Sequence, residues 1–135
     1  MAGKANKTKV TEVTVEAFLA GVESEVRRKD ALVLCEMMER LSGEPPRMWG
    51  PSIVGFGVRQ YRYESGREGE TLKVGFSPRK PATVLYSLGA VENAALVASL
   101  GKITTGKGCV YVKSLADVDL GVLEALIVKA LAKSA

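Results

Sequence analysis

Thr71-Leu72-Lys73-Val74-Gly75-Phe76-Ser77 alternates between apolar and polar or small residues. An extended chain sends successive side chains to opposite sides, so the pattern predicts a half-buried strand. Leu72, Val74 and Phe76 would face a core, and Thr71, Lys73 and Ser77 would face away from it. Val58 to Tyr63 and Ala82 to Ser87 read the same way. Between the first two lies Glu64-Ser65-Gly66-Arg67-Glu68-Gly69, a polar, glycine-bearing hairpin loop. Strands in such close succession, joined by short turns, pair antiparallel.

Upstream, the period changes from two to about 3.6. Thr14 stands before Val15, Phe18, Leu19 and Val22, whose spacing puts one apolar stripe on a short helix ending near Gly21. Ser24 caps a second helix with Ala31, Leu34, Met38 and Leu41 on one face. Glu25 with Lys29 and Glu36 with Arg40 are i,i+4 pairs in the favourable order. Arg27 occupies the position where a capping box would carry Glu or Gln. Gly43 ends this helix, and Pro45-Pro46 prevents its continuation.

Downstream, a third helix runs roughly from Val91 to Leu100 and stops at Gly101. Cys109 to Val112 is a short strand. The last helix starts at Asp117 or Asp119 and is apolar almost all round, with only Glu124, Lys129 and Lys133 charged. A helix with so little polar face is buried on two sides. It either crosses the core or forms a homodimer interface. The order α-α-β-β-β-β-α-β-α predicts an α+β fold: an antiparallel sheet of about five strands with helices packed mainly on one face. Residues 1–11 read as a flexible basic tail and 12–135 as one domain, a division that suits a chain of 135 residues.

Charge is unevenly spread. Residues 11–46 have a net charge of −4 and residues 47–113 a net charge of +6, within an overall +4. Such asymmetry points to an anionic partner for the basic centre. The chain has no histidine. That excludes Ser-His-Asp and Cys-His nucleophile pairs and any histidine zinc site, and a binding module fits better than an enzyme. No apolar run approaches the ~20 residues of a membrane-spanning helix. Met1 to Thr11 lacks the apolar stretch of a secretory signal. Two cysteines, Cys35 and Cys109, suggest no disulfide framework, so a reducing cytoplasm is the expected compartment.

Gly101-Lys102-Ile103-Thr104-Thr105-Gly106-Lys107-Gly108 has the glycine spacing and lysine of a phosphate-binding P-loop. It has Gly108 where that loop needs Ser or Thr, and it follows a helix where a P-loop follows a strand. What survives is an anion cradle made by the backbone N–H groups of Gly106 and Gly108 with Lys102 and Lys107. Arg79 and Lys80 form a second basic turn after Pro78. Were the two turns adjacent, four cations would converge on one small anionic molecule, with Trp49 and Tyr61 as walls. Arg59, Tyr61, Arg62 and Tyr63 interleave basic and aromatic residues, but one strand is too little to argue for a nucleic-acid interface. The sole tryptophan, Trp49, precedes a Gly-Pro turn and reads first as a core anchor. Cys109 follows Lys107, whose charge would favour its thiolate.

With these segments in view, the chain resembles the YdhG-like family of small domains of unknown function. The likeness lies in Met48-Trp49-Gly50-Pro51-Ser52-Ile53-Val54-Gly55-Phe56-Gly57, Tyr61-Arg62-Tyr63 with Gly66-Arg67, and Gly75-Phe76-Ser77-Pro78-Arg79-Lys80. It continues through Leu100-Gly101-Lys102, Thr105-Gly106-Lys107, Cys109, Tyr111, Lys113 and Leu115-Ala116-Asp117-Val118-Asp119-Leu120 with Leu123. The resemblance spans about residues 14–128 and implies an α+β fold. Some relatives are described as frataxin-like intracellular iron chaperones. That implies, as an alternative, iron bound by carboxylates of the first two helices, with Glu16, Glu23 and Glu25 as ligands. Arg27, Arg28 and Lys29 are interleaved with those acids.

Overall fold

Thr14 opens the first helix, α1 (Val15–Ala20), by accepting the Ala17 N–H at 3.1 Å. Ser24 does the same for α2 (Glu25–Ser42), accepting the Arg27 N–H at 3.2 Å. The side chain of each cap satisfies a backbone donor that the first turn leaves without a partner. Gly43, at φ 72°, closes α2 in the left-handed conformation and returns its N–H to the carbonyl of Glu39. The computed structural model describes residues 14–62, 66, 68–89, 94–106 and 108–133; the basic tail assigned to residues 1–11 lies outside them.

Eight strands follow, with one short helix among them: β1 (Pro46–Trp49), β2 (Ile53–Phe56), β3 (Arg59–Arg62), β4 (Glu68–Thr71), β5 (Val74–Pro78), β6 (Thr83–Gly89), α3 (Ala94–Ala98), β7 (Thr104–Gly106) and β8 (Gly108–Val112). A 3-10 turn at Leu115–Asp117 leads into α4 (Leu120–Lys133). Asp119 caps α4, its carboxylate accepting the N–H groups of Gly121 and Val122. Six strands form one antiparallel sheet in the order β1-β2-β5-β6-β8-β7, and β3 and β4 form a separate hairpin. The α+β fold is as the sequence implies. The expected sheet of about five strands has six, and its membership differs: the strand read at Val58 to Tyr63 lies outside it, as β3 paired with β4, while β7, in the segment read as a glycine-rich turn, adds an edge strand to β8.

Register assigns the two faces. Met48, Val54, Phe56, Val74, Phe76, Leu85, Val110 and Val112 belong to one buried cluster with Leu34 and Met38 of α2 and Leu123, Leu126 and Ile127 of α4. Helix α2 packs on β2 and β5, α4 on β5 and β6, and α1 against α2 and β1. Burying Phe56 or Phe76 fully contributes about 1.5–3 kcal/mol each. The last helix is thus a core element. Leu120 and Val128 remain exposed on its outer side, as do Val26, Leu32 and Val33 on α2. Arg40 links the two helices at 2.7 Å to Glu124 and also holds Glu36. No described helix is long and apolar enough to cross a membrane.

The predicted strand from Thr71 to Ser77 is a correction. The chain changes sheets at Leu72 and Lys73, where the Lys73 N–H bonds the carbonyl of Phe56. Val74 and Phe76 face the helices, as the alternation says, but Leu72 lies on the other face. It sits over Gly55 and Gly75, whose missing Cβ atoms would come 2.9 Å from its Cβ and 3.1 Å from its Cδ2. Trp49 shares the place: a Cβ on Gly55 would stand 2.6 Å from its Cδ1. Trp49, Leu72 and Val84 are buried to 2%, 6% and 7% exposure, yet belong to no part of the helix-side cluster. The expectation that Trp49 anchors a core agrees with this; the core it anchors is a second, smaller one.

Two substitutions probe this backbone. Gly75→Ala would put a methyl group 2.6 Å from the carbonyl oxygen of Val54, which cannot move aside. We expect a loss of about 1–3 kcal/mol in urea unfolding. Ser87 has φ 72° at the bulge between Tyr86 and Gly89. Ser87→Gly should raise stability by about 1 kcal/mol, since a side chain costs roughly that much in the left-handed region.

Candidate functional site

The β5–β6 turn, residues 79–82, lies beside the N-terminus of α2. Between them, closed on one side by the α1–α2 connection, is a cavity of about 530 Å³. Ala17, Phe18, Val22 and Pro78 make an apolar wall. Glu23, Ser24, Ser52, Arg79 and Lys80 supply the polar rim, and Arg27 lies at the base of α2. Setting Arg27 aside, the rim carries two cations and one carboxylate.

Arg27 builds this place. Its Nε donates to the carbonyl of Arg79 at 3.1 Å. Its Nη2 donates to the carbonyls of Lys80 at 3.3 Å and Pro81 at 3.0 Å. Its Nη1 donates to the carbonyl of Lys113, just past β8. One planar guanidinium therefore gathers four carbonyls and pins a turn to a helix. Read from the sequence, Arg27 is only a charge in the wrong place for a capping box. Its partners lie between 52 and 86 residues away, so no local pattern announces the role. Two further bonds fix the surroundings. The Ser77 hydroxyl donates to the Ser52 carbonyl at 2.5 Å, and Arg28 donates to the Val22 carbonyl at 2.8 Å.

Of the six residues expected to hold an anion, Arg79 and Lys80 come to this cavity, Lys102 and Trp49 do not line it, and Lys107 and the Tyr61 side chain lie outside what is described. Lys102 is exposed between Gly101 and β7, and its N–H is occupied by the carbonyl of Asp117 at 3.1 Å. Lys107 lies outside the described residues. Its neighbours Gly106 and Gly108 pair with Cys109 and Gly89, at the opposite end of the sheet from the 79–82 turn. The two basic turns therefore do not meet. The supposed anion cradle is a hairpin whose backbone is spent on sheet pairing. Trp49 is too deeply buried to wall a pocket. Tyr61 is in β3, in the separate hairpin, and its side chain lies outside what is described.

The carboxylates named for iron are not gathered either. Glu25 pairs with Lys29 at 3.1 Å, Glu23 is on the cavity rim, and Glu16 is in the first turn of α1. Among the described residues no three His, Cys, Asp or Glu side chains come together as a metal site.

Arg79 also reaches the helix-free face of the sheet. Its Nε donates to the Ser77 hydroxyl at 3.2 Å and its Nη2 to the Tyr86 hydroxyl at 3.1 Å. Tyr86 is paired with Cys109 across β6 and β8. Burial pushes the Cys109 thiol up, and Arg79 offsets this in part. The thiolate is therefore disfavoured by burial, and among the described residues the cation that opposes this is Arg79. Burial likewise pushes the Tyr86 phenol up, with Arg79 again opposing. Cys35, half-buried in α2, is pushed up to about 11 by burial first and then by the charge of Glu39.

With this geometry described, comparison with protein-family models, curated proteins and solved structures finds no match.

Two outcomes follow. Arg27→Lys keeps the charge but cannot serve four carbonyls, so stability should fall by about 1–3 kcal/mol in chemical unfolding. Alkylation of Cys35 at pH 8, followed by mass spectrometry, should be slower than for an ordinary thiol by roughly a hundred-fold, because only the thiolate reacts. The raised folded-state value also means that the stability it contributes is present below about pH 9 and lost as the pH climbs toward about 11.

Proposed function

We propose that this chain is a binding module for a small anionic molecule with an apolar part, seated in the cavity between α2 and the 79–82 turn. The observation that carries this reading is Lys80 on the rim of a mainly apolar wall, beside Arg79, whose guanidinium is engaged by Ser77 and Tyr86. Lys80 has no ion pair among the described residues, so its charge is available to a ligand. Pockets for small ligands combine apolar walls with a few placed polar groups in this way. Glu23 on the same rim would select against ligands carrying several negative charges. The same reading takes the chain for a YdhG-like domain that works by binding rather than by catalysis.

Thermal-shift measurements against phosphate- and carboxylate-bearing metabolites, with inorganic phosphate as the minimal probe, test it. At least one anion should raise Tm, by an amount that shrinks with added salt. Lys80→Ala should weaken that anion about ten-fold in calorimetric titration while leaving the unliganded Tm within a degree or two. If no anion stabilises the protein, or if Lys80→Ala binds as well as the parent chain, the cavity is not the site.

A further inference from the structure

All the long helices lie on one side of the six-stranded sheet, and the other side is closed only in part. Trp49 and Leu72 cover Gly55 and Gly75 toward the β1 edge. Toward the β7 edge the face carries Tyr86 on β6, Cys109 and Tyr111 on β8, and Gly106 on β7, all from register. Tyr86 and Tyr111 are half-buried. They occupy diagonal positions on adjacent strands, a spacing of about 7–8 Å.

Tyr111 is laid down on the sheet. A Cβ on Gly106 would stand 2.6 Å from its hydroxyl oxygen, 2.9 Å from Cε2 and 3.1 Å from Cζ. The end of the phenol therefore lies over a glycine that has no side chain to lift it, and the residue as a whole stays half-buried. Tyr86 is held at its hydroxyl by Arg79. The Nη1 of that guanidinium has no partner among the described residues.

Charge decides what such a face suits. None of the six strands contains Asp or Glu, and their one charged residue is Arg47. Register puts Arg47 opposite Gly55, on this same face, and it is exposed. Exposed Lys102 and Lys113 flank the ends of the strands β7 and β8. We propose that the helix-free face, with Tyr111 and Tyr86 as stacking surfaces and Arg79 and Arg47 as phosphate contacts, binds single-stranded nucleic acid. Two adjacent tyrosines on a sheet whose strands carry no carboxylate, with cations at its margins, provide what successive bases and their backbone require. An acidic protein segment would use the cations but would not need the two aromatic rings. The strand that carries this surface differs from Arg59 to Tyr63, where the sequence interleaves basic and aromatic residues. The inference does not depend on the cavity reading, since neither tyrosine lines the cavity.

The test uses fluorescently labelled twelve-nucleotide oligo-dT and oligo-U, with a duplex of equal length and free mononucleotides as comparators. Anisotropy should show binding to the single strands that weakens with salt and exceeds duplex binding. Tyr111→Leu, which keeps apolar cover but removes the π face, should weaken binding roughly ten-fold or more. Tyr111→Phe should retain it, and far-UV circular dichroism and Tm of both variants report whether the fold is intact. Lys80→Ala, which targets the cavity, should change single-strand affinity no more than loss of one salt contact allows. Absence of binding, equal affinity for duplex, displacement by mononucleotides at the same concentration as by strands, or full affinity in a folded Tyr111→Leu protein would each overturn the proposal.

Discussion

A sheet of six strands has two faces to keep from water, and the helices of this chain cover one. Everything else in the architecture answers that constraint. Val54, Phe56, Val74, Phe76, Leu85 and Val110 meet α2 and α4 in the main core. On the reverse, the chain supplies its own cover near β1 by letting Trp49 and Leu72 lie directly on glycines. Glycine is required at 55 and 75 because the side chains above need the space a Cβ would take. The change of sheet at Leu72 makes this possible, since a continuous strand would have turned Leu72 toward the helices. Where no such cover exists, the face presents aromatic rings and an arginine.

Arg27 is the second constraint, and it acts on position rather than burial. Four carbonyls from two distant segments converge on its guanidinium. A four-residue turn such as 79–82 would otherwise be held mainly by its own short pairing. Pinned in this way, it keeps Arg79 and Lys80 beside α2 and forms one wall of the open cavity. Arg79 stands where the cavity meets the open sheet face, and its side chain is fixed by Ser77 and Tyr86. The two surfaces argued to bind ligands thus share a border, while the groups that distinguish them, Lys80 on one side and Tyr111 on the other, do not overlap.

Much of the local structure is legible in order along the chain. Thr14 and Ser24 cap the helices they precede, Gly43 ends α2 in the left-handed conformation, and Asp119 caps α4. These are interactions between residues a few positions apart, and their patterns are local. The alternation around Val74 and Phe76 correctly places those two side chains on the core side. It fails at Leu72 because periodicity cannot register that a chain leaves one sheet for another between two residues. The glycine-rich stretch 101–108 misleads for a related reason. Gly101, at φ 131°, is set by its close approach to the Asp117 carbonyl, and Gly106 by the ring of Tyr111. Both are packing requirements, and a sequence displays them as though they were turn signals.

The sequence by itself determined the fold class, the caps of α1 and α2 and the basic character of the central segment, because propensity, capping and charge are properties of neighbouring residues. Tertiary structure alone decided which of those charges share a place. Lys102 and Lys80 look equivalent in a list of cations, yet one flanks a sheet edge and the other rims a cavity. That difference comes from the strand order β5-β6-β8-β7, and from a guanidinium that reaches across the fold to hold a turn it does not adjoin in sequence.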